Sequence, residues 1–207
     1  MKKYLPFILV VLHVVGLFGL TSSEREWFLS LTPLNLLITF LVAILLIDRG
    51  KSSSLIPMMV LGFAGGFGAE YLGVHTGLIF GDYSYGAGLG PKWEDIPLAI
   101  GMNWAMLLLV TRSMANRMVS NGWMQAVIAS VLMVLLDVLI EPVAPTLDYW
   151  EFDGGVAPFS NYVGWFLVAL ALHLIGTVFK ASKWDTKGDI LIYTIQSAFF
   201  LVLIAAQ

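Results

Sequence analysis

The chain contains no cysteine. Disulfides, thiolate metal sites and iron–sulfur clusters are therefore excluded. Charge is scarce: Asp, Glu, Lys and Arg make up 12% of the 207 residues, about half the share of a soluble domain. Nor is there a basic excess. The formal net charge is −3, so nothing points to nucleic acid. Hydrocarbon is what remains: 58% of the residues are hydrophobic, and the mean hydropathy is +0.85. A surface so poor in charge is solvated by something other than water.

Seven apolar stretches are bounded by charge, Pro, Gly or Asn: 4–20, 30–47, 55–74, 96–112, 122–141, 161–180 and 189–206. A bilayer-crossing helix needs about 20 mostly apolar residues. Backbone groups in lipid must be paired within the segment, so these stretches predict helices, and their continuous apolarity does not fit the alternation of a membrane barrel. The expected fold is all-α, a polytopic bundle of about seven transmembrane helices, forming one integral membrane domain over residues 1–207. The first stretch lacks a small-residue cleavage site and is expected to be a retained span. Gly62 and Gly66 have GxxxG spacing on the third span, which predicts close helix packing and a place inside the bundle.

Seven spans send alternate loops to alternate sides. One side then receives Lys2, Lys3, Arg49, Lys51, Arg112, Arg117, Lys180, Lys183 and Lys187; the other receives Arg25 and Lys92. This nine-to-two split predicts a cytoplasmic N-terminus and an external C-terminus in the cell inner membrane. Of the acids, only Asp48, Asp185 and Asp189 fall on the basic side. Most of the others fall in or beside two long external loops, 75–95 and 142–160, which are rich in aromatics, Gly and Pro. Long loops of that kind usually carry function.

Asp137 and Glu141 lie four residues apart on the fifth span and so share one helix face. Ionisable residues inside a membrane helix are costly, and their default reading is functional; the bland alternative is a hydrogen bond to a neighbouring helix. A carboxyl in apolar surroundings tends to keep its proton, and a neutral carboxylic acid is a proton donor. Glu70 ends the third span at a similar outer depth, with His75 just beyond. That pair suits a proton relay or a metal, but no HExxH or other strong metal-ligand set is present. His13 and His173 are isolated on apolar helices and read as packing residues. "GAGLGP" within "FGDYSYGAGLGP" (residues 80–91) has GxGxGP rather than GxGxxG spacing and no strand–helix context, so it is not a nucleotide loop. Its glycines allow tight turns between Tyr83, Tyr85 and Trp93, and the segment is expected to cap the outer mouth of the bundle. Asn103 and Trp104 on the fourth span and Asn161 and Trp165 on the sixth read singly as interhelical glue and interface anchors. Together with the acids they converge on one outer cavity. "GDYSYGAGLGP" and "LDYWEFDGGVAP" also share a loose likeness.

The stretches "AEYLGVHTGLIFGDYSYGAGLGPKWEDIPLAIGMNW" and "LDVLIEPVAPTLDYWEFDGGVAPFSNYVGW" resemble the carotenoid hydratase family of integral membrane proteins. This family includes bacterial carotenoid 1′,2′-hydratases and archaeal bisanhydrobacterioruberin hydratases. The likeness spans about residues 60–170. Glu70, Asp82, Tyr83, Tyr85, Asp137, Glu141, Asn161 and Trp165 occupy its motif positions. The resemblance implies a hydro-lyase that adds water to the terminal double bond of an acyclic carotenoid end, giving a tertiary alcohol. The implied partners are a carotenoid, water and the lipid bilayer, with room for association with other enzymes of the same pathway.

Acid-catalysed hydration needs a donor that protonates the less substituted carbon, a base that takes a proton from water, and rings that stabilise the tertiary cation. Asp137 and Glu141, with Glu70 and Asp82 nearby in sequence or loop, can supply acid and base. Tyr83, Tyr85, Trp104 and Trp165 can supply π-faces, and His75, Asn103 and Asn161 complete the expected substrate-binding set. The chemistry requires no cofactor or metal. Two rivals remain open at this point. A lycopene-type cyclase also begins by protonating a polyene end, but must exclude water. A small proton-coupled transporter also uses intramembrane acids.

Overall fold

The computed structural model describes residues 2–46, 54–179 and 187–207. The architecture is helical, with eight α-helices among the described residues: α1 (Leu5–Leu20), α2 (Arg25–Ser30), α3 (Thr32–Leu46), α4 (Leu55–Thr76), α5 (Leu98–Met118), α6 (Gly122–Ile140), α7 (Phe159–Gly176) and α8 (Lys187–Ala205). Five of them, α4 to α8, are long and apolar enough to cross a membrane. The other two apolar helices, α1 and α3, have 16 and 15 residues, so the expected count of seven is not reached by length. The short helix α2 was not anticipated. Of the residues used for orientation, Asp48, Arg49, Lys51, Lys180, Lys183 and Asp185 lie outside the described residues.

Sequence chemistry explains the helix ends. Asn121 caps α6, its side-chain oxygen accepting from the backbone N–H groups of Trp123 and Met124 at 3.0 and 3.1 Å. This satisfies donors that the first turn cannot pair internally. Glu141 still has helical angles and donates its N–H to the Asp137 carbonyl at 2.9 Å, but Pro142 after it has no N–H to continue the ladder, and α6 ends there. At the end of α4, Gly77 adopts φ +67°, the left-handed stop that glycine takes without a Cβ penalty.

Helix α5 is the centre of the bundle and is buried along most of its length. The third apolar stretch, now α4, is less buried than α5 and lies tightly against it. A Cβ on Gly62 would come 2.7 Å from the Ala105 Cα, and one on Gly66 would come 2.1 Å from Trp104 Cγ. Only glycine permits that approach. The fourth span also runs six residues past its expected end at Arg112. Arg112 is buried in α5 rather than in a loop, and its guanidinium donates to the His173 carbonyl at 3.2 Å. A paired cation did not have to end the helix. Arg117, five residues on, pairs with Asp189 of α8 at 3.1 Å.

The two long loops, 75–95 and 142–160, meet each other. Their strands β1 (Tyr83–Tyr85) and β4 (Trp150–Phe152) pair antiparallel, with Tyr83 opposite Phe152 and Tyr85 opposite Trp150. Successive residues in a strand point to opposite faces. Tyr83, Tyr85, Trp150 and Phe152 therefore share the inward face, while Ser84 and Glu151 are exposed. Backbone bonds from Gly86 N to Tyr149 O and from Asp153 N to Asp82 O, at 2.9 and 3.0 Å, extend the ribbon at both ends. The loose likeness between the two loops marks segments that pair. A second small hairpin joins β2 (Lys92–Trp93) to β3 (Ile96–Pro97) and leads into α5.

Candidate active site

Beneath the ribbon lies a cluster of three buried carboxyls. Glu70 of α4 is 2% exposed, as is Asp137 of α6, and Glu141 is also buried. The i, i+4 spacing places Asp137 and Glu141 on one face, and Asn161 of α7 bridges them. Its side-chain NH2 group donates to Asp137 Oδ2 and to Glu141 Oε1, both at 3.0 Å. Glu141 Oε2 accepts from the indole N–H of Trp150 at 3.2 Å. Asp137 Oδ1 is buried and has no hydrogen-bond partner among the described residues.

Glu70 is bound differently. Tyr83 and Tyr85 donate their hydroxyls to its Oε2 at 2.5 and 2.7 Å, and Trp104 Nε1 donates to Oε1 at 2.9 Å. An indole N–H can only donate. Burial pushes both phenols above their ordinary range, and the Glu70 carboxylate beside them adds to the shift, so the two tyrosines remain protonated donors. The Trp104 ring stacks on Trp165 with centroids 4.1 Å apart and planes 9° from parallel, and Phe80 lies 6.3 Å from Trp165. Two indoles and the ribbon's rings thus wall the space between the acids.

That space measures about 20 Å3 and is lined by all three carboxyls, Tyr83, Tyr85, Asn103, Asn161 and Trp165. A site of roughly 10–15 Å3 or more can hold one water molecule if polar partners surround it. Ile100, Asn103, Ile140 and Trp150 also line a second, apolar cavity of about 200 Å3. This chamber runs among α1, α3, α5, α6 and α8 and is roofed by Leu89, Tyr149 and Trp150. An oily chamber and a polar, acidic pocket therefore share a wall.

Of the residues singled out from sequence, Glu70, Tyr83, Tyr85, Asn103, Trp104, Asp137, Glu141, Asn161 and Trp165 lie in or against the cluster. His75 and Asp82 do not. His75 is exposed, bonds through Nδ1 to the Tyr71 carbonyl at 2.8 Å and stacks on the Tyr71 ring. Glu70 and His75 are five residues apart, which turns them about 140° from each other around a helix, so no His/Glu pair forms. Asp82 is exposed on the ribbon edge, where its backbone carbonyl accepts from Asp153. Trp150, Phe152 and Phe80 line the site and were not singled out; the shared "DY" of the two loops was the available signal for Trp150. Among the described residues no group of three His, Cys, Asp or Glu side chains is placed to hold a metal ion.

The family model for carotenoid biosynthesis proteins matches residues 31–206. The chain belongs to the carotenoid biosynthesis protein family. A relative in Haloarcula japonica, named bisanhydrobacterioruberin hydratase, is 30% identical over 133 residues, 59% of this chain and 43% of the relative. The matched stretch thus spans less than half of the relative's length. No solved structure matches the chain. For a member of the carotenoid biosynthesis family, an apolar chamber ending on buried acids is the feature to explain.

Proposed function

We propose that the protein is a carotenoid hydratase that adds water across the terminal double bond of an acyclic end. The observation that carries this reading is the junction of the apolar chamber with the acid cluster at Ile100, Asn103, Ile140 and Trp150. A polyene lying in the chamber brings its tip to the carboxyls and the stacked indoles.

The hydrogen bonds support the following roles. Glu70 acts as the fixed carboxylate, since all three of its hydrogen bonds are accepted from donors. Asp137 carries the reacting proton on Oδ1, the oxygen without a partner. That proton is added to the less substituted alkene carbon; the π electrons form the new C–H bond, and the tertiary carbon becomes a cation. The indole faces of Trp104 and Trp165 and the Glu70 carboxylate stabilise it, each ring contributing about 0.5–2 kcal/mol when desolvated. Glu141 holds the attacking water. As the C–O bond forms, a water proton passes to Glu141, giving the neutral alcohol, and its return to Asp137 restores the starting state. Asn161 holds the two carboxyls in register throughout.

The same acids suit a cyclase, but room for about one water beside them favours hydration. Part of the same proposal is that α1 and α3 cross the inner membrane beside the five long helices as one domain, with the N-terminus in the cytoplasm. With Arg112 set aside because it is buried in α5, the eight-to-two distribution of the other Lys and Arg residues supports this orientation. Association with other carotenoid-pathway enzymes would suit an oily substrate passed within the bilayer. Expression of the chain in a host that accumulates lycopene or γ-carotene tests the function. The expected product is heavier by one water and carries solvent deuterium when made in heavy water. A product isomeric with its substrate identifies a cyclase and overturns the proposal.

A further inference from the structure

The wall between the two cavities contains one polar group whose hydrogen bonding is unused. Ile100, Asn103, Ile140 and Trp150 line both the apolar chamber and the acid pocket. Two of these are hydrocarbon. Trp150 has one polar side-chain atom, an indole N–H that can only donate, and it is committed to Glu141 Oε2 at 3.2 Å. Asn103 is half-buried, and its amide offers two N–H donors and a carbonyl oxygen with two lone pairs. Among the described residues that amide makes no hydrogen bond. Its polar neighbours are engaged: Asn161 bonds Asp137 and Glu141, and Trp104 bonds Glu70. An amide set against hydrocarbon without a partner is costly. A helix-bridging role would show a bond to another helix, so Asn103 needs a different reason.

Helix geometry explains its place. Ile100 and Asn103 are three apart and share a face of α5, the face both cavities touch. Trp104 is turned about 100° from Asn103 and meets Glu70 instead. The acid pocket has about 20 Å3, room for about one water, so a water in it lies against the groups of the lining. Glu141 can still bind that water. Each oxygen of a carboxylate carries two lone pairs, and Asn161 and Trp150 take one on each.

We infer that Asn103 is the second holder of the attacking water, its carbonyl oxygen accepting one O–H while Glu141 accepts the other. The inference rests on the hydratase reading. A water that donates both protons leaves both lone pairs free for carbon, and at this wall the carbon is the polyene tip. As a lone pair forms the C–O bond to the tertiary cation, the proton on the Glu141 side passes to that carboxylate. The hydrogen on the Asn103 side stays and becomes the hydroxyl hydrogen of the alcohol. Asn103 thereby sets the fate of the cation. Held water captures it; without held water the cation gives a proton back to Asp137 and returns to polyene.

The test uses the full chain in lipid nanodiscs in heavy water, with lycopene as the probe. Mass spectrometry reads two outcomes: deuterium in recovered lycopene, and alcohol formed. Asn103→Leu removes the acceptor at nearly constant size. Deuterium should still enter the polyene, and the ratio of exchange to hydration should rise about tenfold, as for the loss of one hydrogen bond. Asn103→Met should give the same result and replaces the leucine variant if that one does not fold. Asn103→Asp returns an oxygen to the same place and should hold the ratio near wild type. A merely structural role lowers exchange and hydration together, so an unmoved ratio in the Leu or Met enzyme overturns the inference. A ratio that stays raised in Asn103→Asp overturns it as well. Failure of the underlying reading looks different: wild type itself neither exchanges nor hydrates lycopene, and both proposals fall.

Discussion

Replacing Asp137 with Asn tests the mechanism at its narrowest point. The amide is nearly isosteric with the carboxyl. Its oxygen can keep the 3.0 Å bond from Asn161, and its NH2 group then falls where Oδ1 has no partner. The structural cost is one poorly satisfied buried group, about 1–3 kcal/mol. The chemical cost is loss of the only proton the scheme adds to carbon. A positioned general acid contributes about 10²–10⁴-fold, or about 2.7–5.4 kcal/mol of barrier at 1.36 kcal/mol per tenfold. Turnover of a polyene in nanodiscs made in heavy water should therefore fall at least about 100-fold, with no deuterium entering recovered substrate. Glu141→Gln should behave differently. It keeps the proton donor and loses the base, so recovered substrate should acquire deuterium without gaining water. An Asp137→Asn enzyme that stays folded and turns over within tenfold of wild type would refute the assignment of the donor. Deuterium exchange lost in Glu141→Gln and kept in Asp137→Asn would reverse the two roles.

Three further outcomes follow from the geometry. Asn161→Leu removes the donor shared by Asp137 and Glu141; thermal unfolding should show destabilisation of about 1–3 kcal/mol for each carboxyl left short of a partner, alongside loss of turnover. Tyr83→Phe and Tyr85→Phe each take one hydroxyl from Glu70 while keeping the ring; each should lower kcat by about tenfold or more, as expected for a charge-assisted bond of 1.5–3 kcal/mol, with both variants folded. Gly66→Ala drives a methyl into Trp104; overpacking of this kind costs about 1–3 kcal/mol, and the expected readout is a lower melting temperature with impaired activity because Trp104 must move off Glu70.

Sequence reading captured what local chemistry controls. Long apolar runs located the helices, and the four-residue step from Asp137 to Glu141 placed both on one face. It did less well where distant parts of the chain decide. Arg112 looked like a loop residue because charge usually ends a membrane helix, yet the His173 carbonyl, 61 residues away, accepts from it. The bonds from Tyr83, Tyr85 and Trp104 to Glu70 span 13, 15 and 34 residues, and no periodicity reports such partners. Trp150 was legible only as part of a faint likeness between two loops, whose meaning became clear once β1 and β4 were seen paired. His75 shows the opposite error: nearness in sequence suggested a partnership that helix rotation forbids.

The β1–β4 ribbon has a consequence for how the protein is made. Its two strands belong to segments separated by 64 residues and two intervening helices, α5 and α6. During insertion, Glu70, Tyr83 and Tyr85 are made first, Asp137 and Glu141 next, and β4 and Asn161 last. Until β4 pairs with β1, the pocket is incomplete and its acids remain open to water. On the hydratase reading, a partly inserted chain lacks the complete acid cluster, and a polyene would meet a finished site only after biogenesis has ended.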